Sequence, residues 1–409
     1  MTDTSQPTDT HQKDGPSTAT GASTGALTAE QLAEARQYGR LDLLCGLADK
    51  ALDLAYLAVM AFLVARPLDN YLQRSPLLSA NDSLRLIALF LITICLHLCV
   101  SLPLAFYSGH ILEHRFGLSN QDFRAWFWRY AKRNALAVAF GLVMFLGLYW
   151  VIWLTGPVWW LVAALAFFIV SVVLGQLAPV VILPLLYKIE RLDAAELPGR
   201  LDRLARGTGL SIEGVYRMKM SEETVKANAM LAGLGRTRRV ILGDTLLAEF
   251  SPDEIEVIFA HEIGHHVHHH IRKMMVTGGL YSLFGFWICD RLLAWYGGTV
   301  DYSTLSVHTL PLLMFALTLL SVLLEPLQNT ISRRYERQCD RYALERTGMH
   351  HAYVSAFQKL ARLNKDDPNP HPLEVLLFHS HPPIAQRLAL GARLNEVASG
   401  QRPPPAADQ

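Results

Sequence analysis

The sequence predicts an α-helical multi-pass membrane protein of about six transmembrane helices, combined with a soluble α+β domain. Three observations support this prediction. The 409 residues are 51% hydrophobic and only 18% charged, which is too apolar for an ordinary soluble protein. Six apolar stretches are each long enough to cross a hydrocarbon core of ~30 Å as a helix. A more polar segment between the fourth and fifth stretches has helix and strand patterns of its own.

Both ends of the chain are predicted to be disordered tails, residues 1–34 and 397–409. The first 27 positions are mostly Thr, Ser, Gln, Gly and Pro and have no signal-peptide pattern. The net charge of +1 argues against a nucleic-acid partner. The five cysteines are scattered without a CxxC pair, which indicates reduced thiols.

The apolar stretches predict four spans within residues 35–187 and two within residues 274–328. Gly156-Pro157 joins the third and fourth spans as a tight hairpin. In chain order, the predicted spans run from about Leu44 to Ala65, Leu84 to Tyr107, Leu136 to Thr155, Val158 to Leu186, Met274 to Tyr296 and Leu310 to Leu327.

The loops between the spans predict the orientation in the membrane. With six spans, the 108–135 loop, the 187–273 segment and both termini share one side. Cytoplasmic loops carry an excess of Lys and Arg, which places this side in the cytoplasm. The basic residues of the 108–135 loop are Arg115, Arg124, Arg129, Lys132 and Arg133, against Arg66, Arg74 and Arg85 on the opposite side.

The soluble domain is predicted from two segments, residues 188–273 and residues 329–396. Glu190 to Gly209 has the apolar spacing of an amphipathic helix. Asn228 comes just before a glycine-punctuated turn. The expected strands are Val215 to Met220 and Arg239 to Leu242, and a further helix begins at Leu246.

A second helix of this domain is predicted to begin at Ser251. Ser251 is a good N-cap, Pro252 occupies the first helical position, and Glu254 completes a capping box. His261 and His265 lie one turn apart on the same face, so both rings can reach one metal ion. With the adjacent Glu262 they form the His-Glu-x-x-His pattern of zinc proteases. The pattern alone leaves open a polar surface turn in a histidine-rich run.

A catalytic zinc site normally has a third protein ligand. Glu336 and Asp340 are spaced i, i+4 on a predicted helix. Glu336 can bind the metal, while Asp340 can accept the remaining N–H of a ligand histidine and fix its orientation. The alternative is a solvated, salt-bridged helix face made of Arg333, Arg334, Glu336, Arg337, Asp340 and Arg341.

These residues, taken in order, resemble the integral-membrane zinc metalloproteases of the type I CAAX prenyl protease family. The resemblance extends over roughly residues 35–395. Besides His261 to His265 and Ser332 to Asp340, the matching motifs are Ser101-Leu-Pro-Leu-Ala-Phe-Tyr, Glu113-His-Arg-Phe-Gly-Leu-Ser-Asn120, Asn228-Ala229, Val240-Ile-Leu-Gly-Asp-Thr-Leu-Leu247, Leu363-Asn-Lys-Asp366 and Ser380-His-Pro-Pro383.

The resemblance implies a zincin-like metalloprotease domain on the cytoplasmic side of membrane helices that enclose a chamber. It implies one Zn²⁺ per chain, held by His261, His265 and Glu336, with Asp340 as the hydrogen-bond partner of a ligand histidine. The family usually has a further N-terminal span, so we expect six spans here where eukaryotic relatives have seven.

The resemblance also implies residues that act on the substrate. Glu262 is expected to be the general base, and His381 is expected to stabilise the oxyanion of the tetrahedral intermediate. Asn228 is assigned to the clamp that holds the substrate backbone. Arg387 is assigned to substrate binding, as a partner that fixes the substrate or the site, and His379 is interpreted as structural.

Other polar residues have two interpretations. Those in the apolar spans either line the chamber or are snorkelling groups at helix ends. The histidines after the motif are interpreted as the solvated end of its helix. The first group is Asp290, Arg291 and Glu325, and the second is His266, His268, His269 and His270.

Three functions remain open at this point. The leading hypothesis is a CAAX-type endopeptidase of the bacterial inner membrane or the endoplasmic reticulum, acting on peptide or protein substrates, prenylated or not. A quality-control protease that resembles the bacterial heat-shock zinc proteases is the alternative. A non-enzymatic membrane scaffold with a chelating site is the third, although a scaffold has no need of Glu262. No oligomer is predicted.

Overall fold

The computed structural model describes residues 27–192, 196–233, 238–298 and 300–400. Most of the predicted N-terminal tail, residues 1–26, and the C-terminal residues 401–409 lie outside these ranges. The prediction that the tail extends to residue 34 is wrong, because a helix begins at Ala29. The Thr28 side chain accepts from the Gln31 amide in a capping box, and polar helix formers follow it.

The N-terminal half is a set of membrane-length helices. Short π-helical turns at Met60–Val64, Tyr107–Leu112 and Ala178–Ile182 continue three of them without a break. The helices are α1 (Ala29–Val59), α2 (Ala65–Leu72), α3 (Pro76–Ser79), α4 (Asp82–Phe106), α5 (Glu113–Arg115), α6 (Phe123–Thr155), α7 (Trp159–Leu177) and α8 (Leu183–Leu186).

Four helical stretches of the described chain are long and apolar enough to cross a membrane, by length and composition. The stretch over Phe123–Leu177 contains α6 and α7. Gly156 separates them with φ of 57°, a left-handed backbone that favours glycine, and α7 packs back against α6. The predicted hairpin is therefore present. The other stretches are Ala29–Leu72, Asp82–Arg115 and Val307–Thr347.

The fifth and sixth predicted spans lie in α12 (His270–Gly297) and α13 (Leu310–Thr347). The fifth predicted span is helical within α12, although α12 is not among the four stretches above. Its Asp290 is fully buried and accepts from Trp159 Nε1 at 2.9 Å and from the Tyr302 hydroxyl at 2.7 Å. Asp290 is thus a structural group and does not line a chamber.

The soluble domain contains one four-stranded sheet in the order β1-β2-β4-β3. The β2–β4 pair is parallel, and the other two pairs are antiparallel. This order leaves β3 at the edge of the sheet. The strands are β1 (Ile189–Arg191), β2 (Gly214–Met218), β3 (Ala229–Ala232) and β4 (Arg239–Gly243).

Two of these strands differ from the sequence prediction. Glu190 to Gly209 was expected to be one helix, but β1 begins the segment and the helix, α9, spans only Glu196–Ala205. The strand β3 was not predicted, because Ala-Met-Leu-Ala has little intrinsic preference for a strand. Its conformation follows from pairing with β4.

The remaining helices cover this sheet. Buried residues of α9, α11, α13 and α14 form one core with β2 and β4. A Cβ added to Gly264 of α11 would come within 2.9 Å of the Cys339 Cα, so only glycine allows α11 and α13 to approach this closely. The helices are α10 (Asp244–Glu249), α11 (Pro252–Val267), α14 (His350–Asn364), α15 (Pro372–Phe378) and α16 (Ile384–Ala398).

Candidate active site

The helix that carries the His-Glu-x-x-His pattern is anchored at its first turn. Ser251 accepts from the Glu254 amide, and the Glu254 carboxylate accepts from the Ser251 amide at 2.7 Å. Lys359 and Ser355 of α14 also donate to this carboxylate, at 2.7 and 2.6 Å. Burial works to raise the pKa of Glu254, but its hydrogen bonds, led by the one from Lys359, outweigh burial and lower the pKa.

The three predicted metal ligands converge on one point. Glu336 Oε2 lies 3.1 Å from His261 Nε2, and Glu336 Oε1 lies 3.3 Å from His265 Nε2. Glu336 Oε2 is buried and has no hydrogen-bond partner among the described residues. Atoms bound to a tetrahedral zinc ion at ~2.0–2.1 Å are themselves ~3.3–3.4 Å apart. The spacing and the donor types therefore fit a zinc-sized cation.

A second set of donors overlaps this one. The donor atoms of His261, His265 and Cys339 all lie within 4.8 Å of one another. The Glu336 carboxylate contacts both imidazoles directly, with Oε2 at 3.1 Å from His261 Nε2 and Oε1 at 3.3 Å from His265 Nε2. We therefore favour Glu336 as the third ligand, and Cys339 is the specific alternative to test.

The other ring nitrogen of His261 faces Asp340 and Arg387. His261 Nδ1 lies 2.9 Å from Asp340 Oδ1, which is the hydrogen bond expected from the sequence. Burial works to lower the pKa of His261, but the adjacent carboxylates of Asp340 and Glu336 outweigh burial and raise the pKa to about 9. Metal binding at Nε2 requires this nitrogen to be free of a proton, so protons compete with a metal ion for His261.

Arg387 is a buried partner of Asp340. Its guanidinium donates to both Asp340 oxygens, from Nε at 2.9 Å and from Nη2 at 2.5 Å. The guanidinium carbon also lies 3.8 Å from the centroid of the Phe357 ring. Only 8% of Arg387 is exposed. Arg387 thus holds Asp340 in place on the Nδ1 side of His261, and it also lines the cavity beside the site, so a role toward the substrate stays a prediction.

His381 approaches the metal ligands from the loop before α16. Its Nε2 lies 3.5 Å from Glu336 Oε2, and the Ser380 hydroxyl lies 3.0 Å from its Nδ1. If Ser380 donates, Nε2 keeps its hydrogen and points toward the ligands. Arg333 was not singled out by sequence analysis, yet its Nη1 donates to the carbonyl oxygens of Val375 and His379, at 2.7 and 2.6 Å. These two hydrogen bonds fix the start of the loop that carries His381.

A cavity of ≈ 440 Å³ connects these residues with the sheet. Glu262 and His381 line it, and so do Asn228 and Ala229 at the start of the edge strand β3. The Asn364 side chain of the Leu363-Asn-Lys-Asp motif accepts from the Ala227 amide at 3.1 Å, which holds this part of the chain against α14.

The comparisons with known proteins agree with this geometry. The profile described as peptidase family M48 matches residues 191–392, and the one described as CAAX prenyl protease N-terminal, five membrane helices, matches residues 12–188. An uncharacterized metalloprotease of Bacillus subtilis, YhfN, is 32% identical over 71% of this chain and 69% of its own. The chain belongs to peptidase family M48.

Further relatives narrow the type of M48 protease. CAAX prenyl protease 1 of Saccharomyces cerevisiae is 30% identical, over 71% of this chain and 68% of its own. The crystal structure of S. mikatae Ste24p superposes with a TM-score of 0.76 and 25% identity, covering 89% of each chain. This M48 protein is therefore a membrane metalloprotease of the CAAX prenyl protease type. The quality-control and scaffold alternatives receive no support.

One prediction about the histidines that follow the His-Glu-x-x-His motif is wrong. His270, interpreted as part of the solvated helix end, is fully buried beside His265. Burial lowers the pKa of His270 to about 4. Its burial follows from His269, which adopts a left-handed backbone with φ of 57° and turns the chain back over α11.

Proposed function

We propose that this M48 protein is a zinc-dependent endopeptidase that hydrolyses peptide bonds near the C-terminus of prenylated or other membrane-associated proteins. The observation that carries the proposal is the convergence of His261 Nε2, His265 Nε2 and the Glu336 carboxylate beside a cavity. Two imidazoles and one carboxylate form the ligand set of many catalytic zinc sites. The yeast relative is a CAAX prenyl protease 1, which supports this substrate class.

The ion contributes one kind of chemistry. Bound zinc lowers the pKa of a water ligand to ≈ 7, which provides a nucleophile at neutral pH. His261 and His265 hold the ion with neutral rings, and the Asp340 carboxylate keeps the hydrogen of His261 on Nδ1.

Glu262 and His381 act on the reacting groups. Glu262 follows a metal ligand directly and lines the cavity, so its carboxylate can accept the proton of the attacking water and deliver it to the leaving amine. His381 can donate Nε2–H to the carbonyl oxygen as negative charge develops there. One such donor is worth ~2.7–4 kcal/mol in comparable sites.

The edge strand β3 offers a way to hold the peptide. Its pairing with β4 leaves one side of the strand free of a strand partner in the described sheet. Extended peptides bind such edges by main-chain hydrogen bonds. With Asn228 at the entrance of β3, this edge and the cavity together form the proposed substrate clamp.

The active site is proposed to face the cytoplasm, on the basis of the basic 108–135 loop. Single cysteines introduced at 300–306 should react with a membrane-impermeant reagent added outside the cytoplasm. Cysteines introduced at 110–133 should react only after the membrane is opened. The reverse labelling pattern would place the site on the other side.

The substrate class is tested with matched peptides. Purified protein is incubated with a C-terminal peptide that carries a farnesylated cysteine followed by three residues, and with the same peptide lacking the farnesyl group. We expect release of the last three residues by mass spectrometry, faster from the farnesylated peptide. Glu262→Gln keeps the ligands, so it should retain zinc while cleavage falls by ~10²–10⁴. Cleavage of neither peptide by zinc-loaded protein would contradict the proposal.

A further inference from the structure

The second metal ligand, His265, has its own hydrogen-bond partner, which no sequence motif indicated. His270 Nδ1 lies 3.2 Å from His265 Nδ1. Two ring nitrogens at this distance form a hydrogen bond only if one carries a hydrogen and the other has a free lone pair. The partners of His270 on α13 decide which nitrogen donates.

Gln338 fixes the hydrogen of His270. His270 Nε2 lies 2.9 Å from Gln338 Oε1, and an amide oxygen only accepts hydrogen bonds. The hydrogen bond to Gln338 therefore places a hydrogen of His270 on Nε2, and Nδ1 then has a lone pair that can accept from His265. Consequently His265 Nδ1 is the donor, and the lone pair of His265 is on Nε2, the atom that lies 3.3 Å from Glu336 Oε1.

The surroundings keep the His270 ring in this orientation. It stacks on Tyr335 with ring centroids 4.2 Å apart and planes inclined by 14°. The Cys339 Sγ atom lies 3.5 Å from His270 Nδ1 on the same side as His265. Tyr335, Gln338 and Cys339 all belong to α13, the helix that also carries Glu336.

We propose that His270 is a positioning residue for the metal: together with Gln338 it holds His265 in the tautomer that presents Nε2 to the ion. This inference rests on the proposed zinc site and deepens it. Each ligand histidine then has its Nδ1 held by a side chain that either belongs to α13 or contacts it. Asp340 serves His261, and His270 serves His265.

The arrangement also assigns a function to the turn between α11 and α12. His268 and His269 form this turn, and the left-handed conformation of His269 brings His270 back toward His265, five residues earlier. His270 therefore reaches His265 from the same stretch of chain that carries the motif. Gln338, from α13, completes the arrangement by binding His270.

Two substitutions separate the hydrogen bond from the packing. His270→Phe keeps an aromatic ring on Tyr335 but has no acceptor. His270→Asn loses the ring but keeps an oxygen near the position of Nδ1. The measurement is the zinc dissociation constant of the full-length protein, by competition with a chelator, together with the visible absorption spectrum of the cobalt-substituted protein.

We expect His270→Phe to weaken zinc binding by ~10–100-fold, as is typical when a partner of a ligand histidine is lost. The cobalt spectrum should change as well, because the His265 ring is no longer held. His270→Asn should bind zinc close to the wild-type level. The control is His266→Phe, the same change at a histidine whose Nδ1 contacts Arg238; it should leave zinc affinity unchanged.

If His270→Phe fails to fold, Gln338→Leu tests the same inference, since it removes the acceptor that sets the His270 tautomer. Wild-type zinc affinity and cobalt spectrum in folded His270→Phe, or in Gln338→Leu in its place, would overturn the positioning role. That result is distinct from failure of the zinc site itself, in which His265→Ala would also retain the metal.

Discussion

Arg387 donates two hydrogen bonds to the Asp340 carboxylate, and Asp340 in turn contacts Nδ1 of the metal ligand His261. All three side chains are buried. A residue of the C-terminal helix α16 therefore reaches the metal site through one carboxylate.

Replacing Arg387 tests this contact. Arg387→Met leaves a buried carboxylate without its counter-charge, and breaking such a pair costs ~3–5 kcal/mol. We expect a lower melting temperature and weaker zinc binding, with Arg387→Lys intermediate and Arg393→Lys, at an exposed position of the same helix, without effect. A rise in KM alone, with unchanged zinc affinity, would show that Arg387 contributes to substrate binding.

The identity of the third ligand is tested by metal content. His261→Ala, His265→Ala and Glu336→Ala should each lose the bound zinc, because two remaining ligands hold it too weakly. Cys339→Ala should keep about one zinc per chain, as expected for a site with three protein ligands. Zinc measured by mass spectrometry on purified protein decides the question. Retention in Glu336→Ala with loss in Cys339→Ala would identify Cys339 as the ligand.

His381 should affect the chemical step. Its Nε2–H contacts the oxyanion only near the transition state, so His381→Ala should lower kcat by ~10²–10³ with little change in KM or zinc content. His381→Asn retains an N–H donor and should be less impaired. Michaelis curves on a quenched peptide test this. An increase of KM at constant kcat would show that His381 binds substrate instead.

The capping carboxylate of Glu254 makes stability depend on pH. Its pKa is lowered in the folded protein, so its stabilising contribution is present above the unfolded value of about 4.5 and is lost as pH falls through the lower folded value. Glu254→Gln should therefore melt at a lower temperature than the wild type at pH 7. The gap should narrow as pH falls below about 4.5. A gap that is independent of pH would mean that the charge of Glu254 contributes nothing.

Much of this site could be predicted from local sequence. The start of α11 follows from Ser251, Pro252 and Glu254, and the spacing of His261 and His265 places both on one face of the helix. Spacing alone does not identify Glu336, because an arginine-rich helix face is also compatible with a solvated surface. The resemblance to a family made it the expected ligand.

What escaped prediction depends on contacts between distant segments. The burial of His270 requires a left-handed residue at position 269, which a run of histidines does not specify. The direction in which the Arg387 side chain points depends on where α16 packs against α13. The strand β3 exists because β4 pairs with it, and the loop-fixing contacts of Arg333 join α13 to residues more than 40 positions later.

The helix α13 joins the bilayer to the catalytic centre. Its 38 residues form one continuous helix, which at 1.5 Å per residue is roughly 57 Å long. A change in the hydrophobic thickness of the membrane that tilts the apolar half would move Glu336, at the other half, relative to the imidazoles on α11. We therefore expect kcat to differ between thin and thick bilayers at full zinc occupancy.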